Sequence, residues 1–419
     1  SKGGMIGMNL EGIASPFTWE YDPTSGFLNH LTYPNGMVRC NTYHPRLNLV
    51  TAIGYRKGAN GESAGRHEYD YDALGRPIQR RDSWDVATPA TTRNFTHNSR
   101  SELVEDRISQ GGSFSYQYDN IGNRKTAREL EEEVSYDANG LNQYVDIAGG
   151  EEHFNPVYDA DGNQTRIRTS TGIWEISYDA NDRPIVFTSQ DGRTTITCGY
   201  DYQGRRFSKK VTVNGTVVSH ERYLYRGYLQ LAALDMLDNR NVRRTLLWDP
   251  LEPVAARPLA LVQGASLYCY GWDFNKNVTE VFDGQGTIAA TYDYSPYGIV
   301  GSTGNLVQPV QWSSEMNDGK LALVYYNYRY YNPADGRWIN RDPIAEEGGW
   351  NLYGFVDNEV VFSIDYLGKE TNEFGYTMTI PAGYIPILLI IEGSISIEKK
   401  KNCVCIEAKL RTDVGIGVA

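Results

Sequence analysis

Between its turns the chain alternates or clusters β-branched and aromatic residues, as in "TRIRTSTGIWEISYDA" (Thr165 to Ala180), and this patterning predicts strands. One unit recurs between them: "WEYDPTSG", "YDYDALGR", "YQYDNIGNR", "VSYDANG", "PVYDADGN", "ISYDANDR" and "CGYDYQGR". In the best-spaced run, Tyr118, Tyr136, Tyr158, Tyr178 and Tyr200 stand 18, 22, 20 and 22 residues apart, which is the mark of a repeat architecture. Weaker copies at Tyr43 and Phe95 fill the early gaps. In "YDALGR" Tyr71 ends a strand, Asp72 accepts hydrogen bonds from the backbone of the turn, Gly75 supplies a positive φ and Arg76 begins the return strand. One hairpin cannot bury its face alone, so successive hairpins are expected to stack edge to edge into a long winding sheet.

Composition sharpens this all-β expectation. The 419 residues include 31 Tyr, 42 Gly and 8 Trp against 12 Phe and 6 Met. Rings with a polar handle stand where Leu normally serves, which suits short strands whose side chains are apolar at the base and wet at the tip. The repeated aspartates read as turn-holders, not as the acid pair of a glycosidase. The net charge of -12 argues against nucleic-acid binding by the shell, since phosphate recognition needs clustered Lys and Arg. Cys40, Cys198, Cys269, Cys403 and Cys405 have no metal or disulfide spacing, so no metal and no cofactor is expected. His30, His44, His67 and His97 stand in no Ser or Cys nucleophile motif. The longest apolar run, "IPILLII" (Ile385 to Ile391), is too short to span a membrane. Opening at "SKGGMIGMNL" and stopping at "DVGIGVA", the sequence reads as an internal piece of a longer product, with any export signal outside it.

The units resemble the YD repeats of RHS-repeat proteins, the group that includes the C component of insecticidal toxin complexes and the extracellular repeats of teneurins. Later segments resemble the RHS repeat-associated core: "YCYGWDFNKNVTEVFDGQGTIAATYDYSPYG" (Tyr268 to Gly298) and "YYNYRYYNPADGRWINRDPIAEEGGWNLYGFVDNEVVFSIDYLGK" (Tyr325 to Lys369). The second combines, in order, Arg-Tyr-Tyr, Asn-Pro-x-x-Gly-Arg-Trp, Arg-Asp-Pro, Gly-Gly-x-Asn-Leu-Tyr and Asp-x-x-Gly. The resemblance covers residues from about 15 to 369. It implies a hollow β shell, here partial, in which a hairpin ribbon spirals around a cavity (1–312). A core plugs one end (313–369), and a short β-rich start of a variable effector or toxin follows (370–419).

The resemblance further implies an aspartate-protease-like core that cuts its own chain just after the terminal motif, between Lys369 and Glu370, leaving the cargo inside. Asp342 matches its first acid, Asp365 its second, and Arg341 the basic residue beside the first. Two carboxylates in a partly dry site cannot both ionise, so one holds a proton while the other activates water; Arg341 would stabilise the ionised partner or the oxyanion. The chain departs from the family pattern at Ala345-Glu346, where Gly-Leu is usual, at Val360 and Tyr366, where Pro is usual, and at Lys369, where Leu is frequent. Glu346 and Glu347 are the acids expected to meet Lys369. After the core, "EGSISIEKKKNCVCIEAKL" predicts a hairpin turning at Lys399 to Asn402. The implied function is a secreted or cell-surface bacterial polymorphic-toxin carrier, released by single-turnover autoproteolysis. Its partners would be its own C-terminal effector and secretion-system or toxin-complex components. The alternative is an extracellular carbohydrate-binding adhesion module that cuts nothing.

Overall fold

In a computed structural model of the chain, residues 5–9, 12–58, 61–84, 89–252, 257–369, 371–373, 396–400 and 403–407 are described. Among these the strands form two fourteen-stranded antiparallel sheets, each strand paired with its neighbours in sequence. The first runs from Gly7–Met8 to Glu152–Phe154 and the second from Val157–Tyr158 to Val300–Gly304. They part at Asn155 and Pro156, where proline has no N–H to continue the ladder. Among the described residues no helix is long and apolar enough to cross a membrane.

The turns follow the physics of the repeat. At Asp72, Asp119, Asp159, Asp179 and Asp201 one carboxylate oxygen accepts the backbone N–H groups two and four residues on, at 2.8–3.1 Å. The Tyr136 unit differs. There the strand Glu132–Ala138 runs through Asp137, and Asn139 holds the turn instead.

The tyrosine tips are not wet. Tyr71, Tyr118, Tyr178 and Tyr200 donate their hydroxyls to the carbonyls of Val50, Leu103, Gln164 and Pro184, at 2.5–3.0 Å. Each carbonyl lies at or beside an end of the preceding return strand, so the hydroxyl ties one hairpin to the one before it. A half-buried phenol beside an open backbone acceptor gains more from that bond than from partial hydration. At these same tyrosines the strand register slips by one residue. A bulge once per hairpin bends the strand and adds right-handed twist, which curves the ribbon.

The curve brings the ribbon back onto itself. Asn35, Tyr55, Arg80 and Arg93 of the first sheet hydrogen-bond Asp283, Trp272, Asp273 and Tyr294 of the second, across some 190 to 250 residues of chain. On this seam His67 is fully buried, its Nδ1 2.6 Å from Asp82 Oδ1 and its Nε2 2.9 Å from Glu280 Oε1.

Below the turns sits a compact segment built on four short strands, Met316–Asp318, Leu323–Tyr325, Tyr330–Asn332 and Arg337–Trp338. Its centre is aromatic: Tyr326, Tyr331, Trp338 and Phe355 are all almost fully buried and in mutual ring contact. Successive turns of the ribbon dock on it. Asn358 reaches Gly122 O, Arg337 reaches Asn142 O, Tyr353 reaches Gly162 O and Asn340 reaches Asp182 O. The closest fit is at Gly336 (φ +65°), where a Cβ would lie 1.9 Å from Nη2 of the buried Arg124. Gly336→Ala is therefore expected to destabilise the protein by about 2–4 kcal/mol, combining left-handed strain with overpacking. Urea denaturation of the two forms measures it.

Beyond the core, Ser396–Lys400 and Cys403–Glu407 pair antiparallel with Ile397 opposite Ile406, the hairpin expected there, although Lys399 and Lys400, expected in its turn, are strand residues opposite Val404 and Cys403. Ile395, residues 401–402 and Ala408 lie outside the described residues.

Candidate active site

Asp342 lies beyond the strand Arg337–Trp338, its backbone N–H on Leu352 O at 2.9 Å and its Oδ1 accepting Ile344 N–H at 3.0 Å. Gly348 packs on the same carboxyl, and a Cβ there would stand 2.6 Å from Oδ2. Asp365 ends the buried strand Ser363–Asp365. Its Oδ1 accepts three backbone N–H groups, from Leu367 (3.0 Å), Gly368 (2.7 Å) and Lys369 (2.9 Å). The other oxygens of the two acids meet at one cation. Arg329 Nη2 is 2.6 Å from Asp342 Oδ2 and 3.4 Å from Asp365 Oδ2, so the structure brings the two sequence-predicted acids together.

Arg329 also donates from Nε to Gly368 O at 2.5 Å, and its guanidinium lies over the Trp338 ring, 4.2 Å from the centroid. One buried cation therefore holds both carboxylates and the carbonyl of the peptide bond immediately before the expected cut. Burial pushes both aspartates above the ordinary carboxylate range, with Arg329 opposing. The mutual repulsion of the pair adds to the rise at Asp342. Such a pair favours a state in which one acid is protonated and the other ionised. A third acid stands near. Glu315 is buried, and burial first, then Asp365, raise its carboxyl well above the usual range.

Two expectations about the site are corrected. Arg341 is not the cation of the pair: its side chain turns to the ribbon, where a Cβ on Gly162 would lie 2.7 Å from its Nε, and that Nε has no hydrogen-bond partner. Glu346 and Glu347 do not meet Lys369 either. They are exposed on the turn Ala345–Gly348, and the Lys369 ammonium sits over the Tyr328 ring, 3.4 Å from its centroid. Arg329 was missed as a functional residue although its Arg-Tyr-Tyr motif was recognised. The available signal was an arginine amid five tyrosines, Tyr325, Tyr326, Tyr328, Tyr330 and Tyr331, in a stretch where a buried guanidinium needs an acid.

Glu370 lies outside the described residues. Beyond it Thr371–Glu373 pairs antiparallel with Ser363–Asp365, Thr371 opposite Asp365. The bond after Lys369 is thus in the connection that returns the chain alongside Asp365.

No family model matches the chain. Residues of the chain are 27% identical over 343 residues to double-stranded DNA deaminase toxin A of Burkholderia cenocepacia (strain H111), covering 69% of this chain and 24% of that protein. They are 26% identical over 286 residues to the tRNA3(Ser)-specific nuclease WapA of Bacillus spizizenii, covering 63% of this chain and 11% of that one. Among solved structures, the TcdB2-TccC3-Cdc42 crystal structure superposes with a TM-score of 0.72 at 17% identity, over 86% of this chain and 20% of that chain. The chain shares that β-shell fold. The Tc holotoxin pore of Photorhabdus luminescens agrees, with a TM-score of 0.69 at 17% identity over 87% of this chain and 19% of that one. The chain spans about a quarter or less of the length of each of these relatives.

Proposed function

We propose that this chain is the carrier part of an RHS-type polymorphic toxin that cuts itself between Lys369 and Glu370. Residues 1–312 form the shell, 313–369 the cutting plug, and 370–419 begin the cargo. The observation that carries the reading is the single buried guanidinium of Arg329, shared by Asp342, Asp365 and the Gly368 carbonyl. Sequence similarity to a long protein named as a DNA deaminase toxin and to one named as a tRNA nuclease, and the β-shell fold common with toxin-complex structures, support a carrier that works outside the cell making it. Its partners in this reading are its own C-terminal segment and other toxin-complex components.

In the cutting step the protonated member of the acid pair donates to the Lys369 carbonyl oxygen, and the ionised member takes a proton from water. The water oxygen adds to the carbonyl carbon. The C–N bond then breaks, the departing Glu370 nitrogen takes a proton from the pair, and Lys369 keeps the new carboxylate. Arg329 stays charged throughout and limits the cost of the negative charge in a dry site. No second turnover is possible, because the substrate is the chain itself.

The test is the intact mass and denaturing gel of the full chain. Wild type is expected to give fragments of 369 and 50 residues, which elute together under native conditions. Asp342→Asn and Asp365→Asn are expected to stay whole. An uncut wild type, or either variant cut at the wild-type rate, removes the proposal.

A further inference from the structure

We infer that Tyr328, backed by Tyr228 from the shell wall, is a subsite that selects a cation at position 369, the residue preceding the cut. The kinetic part of this inference rests on the self-cutting reading; the binding part does not.

The backbone before residue 369 is held in one register. Tyr328 N–H donates to Leu367 O at 3.2 Å, Arg329 Nε to Gly368 O at 2.5 Å, and Lys369 N–H to Asp365 Oδ1 at 2.9 Å. Gly368 has φ +77°, and a Cβ there would stand 3.2 Å from Arg329 N and 3.3 Å from the Cβ atoms of Arg329 and Tyr326. Only glycine fits so closely, so the chain cannot slide along Tyr326 to Arg329. The side chain of residue 369 therefore falls on Tyr328, whatever its identity.

What it meets there suits a cation. The Lys369 Nζ lies 3.4 Å from the Tyr328 centroid, well inside the reach of a cation–π contact. No carboxylate among the described residues pairs with it. The ring is fixed from behind: the Tyr328 and Tyr228 hydroxyls are hydrogen-bonded, and the rings are 5.5 Å apart at 45°. Tyr228 stands between the strands Thr216–Arg226 and Leu229–Asp235 of the second sheet, so the wall itself buttresses a subsite in the plug. A second turn closes the edge, where a Cβ on Gly204 would be 3.8 Å from Tyr328 Cε1. A carboxylate at 369 would face the negative face of the ring. A leucine would lie on it without the charge term. This arrangement accounts for a lysine where the family pattern has leucine, and it keeps the new chain end anchored after scission.

The experiment has two arms. In uncut Asp342→Asn protein, brief acetylation followed by peptide mapping is expected to modify Lys369 about ten-fold more slowly than the exposed Lys125. Adding Tyr328→Leu should bring the two rates together, while Tyr328→Phe, which keeps the ring, should not. In the cutting-competent chain refolded from denaturant, Lys369→Arg should cut near the wild-type rate. Lys369→Glu and Tyr328→Leu should each slow cutting about ten- to thirty-fold, the size of a partly desolvated cation–π contact. Tyr328→Leu with Lys369→Leu should recover much of that loss, which a merely misfolded Tyr328→Leu could not do. Lys369 acetylated as fast as Lys125, protection that survives Tyr328→Leu, or cutting indifferent to charge at 369 overturns the subsite. Protection that depends on Tyr328 in a chain that never cuts leaves the subsite standing and removes self-cutting instead.

Discussion

Arg329→Met is expected to cost about 3–5 kcal/mol of stability, because removing one partner of a buried ion pair leaves the other uncompensated. Two carboxylates depend on this one guanidinium, at 2.6 and 3.4 Å, so the loss belongs at the upper end of that range. Cutting should disappear with it. The deficit should also shrink as the pH falls from 8 to 5. Burial already holds Asp342 and Asp365 above the ordinary carboxylate range with Arg329 opposing, and without Arg329 both rise further. A carboxyl whose folded pKa lies above its unfolded value stabilises the fold at low pH and loses that contribution as pH rises through the folded pKa. Urea titrations at the two pH values measure this; an equal deficit at both would mean that the arginine acts by packing on Trp338 and not by charge. Arg329→Lys separates the roles again. It retains the charge but not the planar fork that reaches two acids and a carbonyl, so stability should suffer less than cutting.

The second large effect lies on the seam between the sheets. Burial disfavours a charged His67, but Glu280 and Asp82 on either side more than reverse this and raise its pKa from 6.5 to about 9. Arg80 completes the cluster, bonded to Asp82 and to Asp273 of the second sheet, each at 2.7 Å. The folded pKa is above the unfolded one, so the imidazolium contributes fully below pH 6.5. Its contribution is lost as pH rises toward 9, a change of about 3 kcal/mol at 1.36 kcal/mol per pKa unit. Wild type should therefore lose stability between pH 6.5 and 9, whereas His67→Gln should be less stable at pH 6.5 and nearly flat across the same interval. Thermal unfolding across that interval checks it. A wild-type curve as flat as the variant's would mean that His67 is neutral in the fold.

The tyrosine ladder shows why so much of the shell was legible. An aspartate that accepts amides two and four residues ahead needs only its own turn to form, so the motif reads the same in sequence and in space. The resemblance of the core motif likewise pointed to Asp342 and Asp365, which share one cation. Other features were not legible. The hydroxyl of Tyr71 ends on Val50, 21 residues back in the neighbouring hairpin, and composition suggested water there. The resemblance put Arg341 beside Asp342 as the basic residue, yet its side chain packs against Gly162 of the ribbon, and the cation comes from Arg329, 13 residues before Asp342.

The chain itself, through short-range hydrogen bonds and a repeat of about twenty residues, determined that hairpins form, where they turn and that they stack in order. Only the tertiary structure decided where the ribbon meets itself, at His67 and Glu280. It also decided which arginine serves the acids and that an aromatic ring, not a glutamate, receives Lys369. The first set is settled by atoms within a few residues of one another. The second depends on which buried charges lack water and must find a partner across the fold, a choice made by packing distance and not by position along the chain.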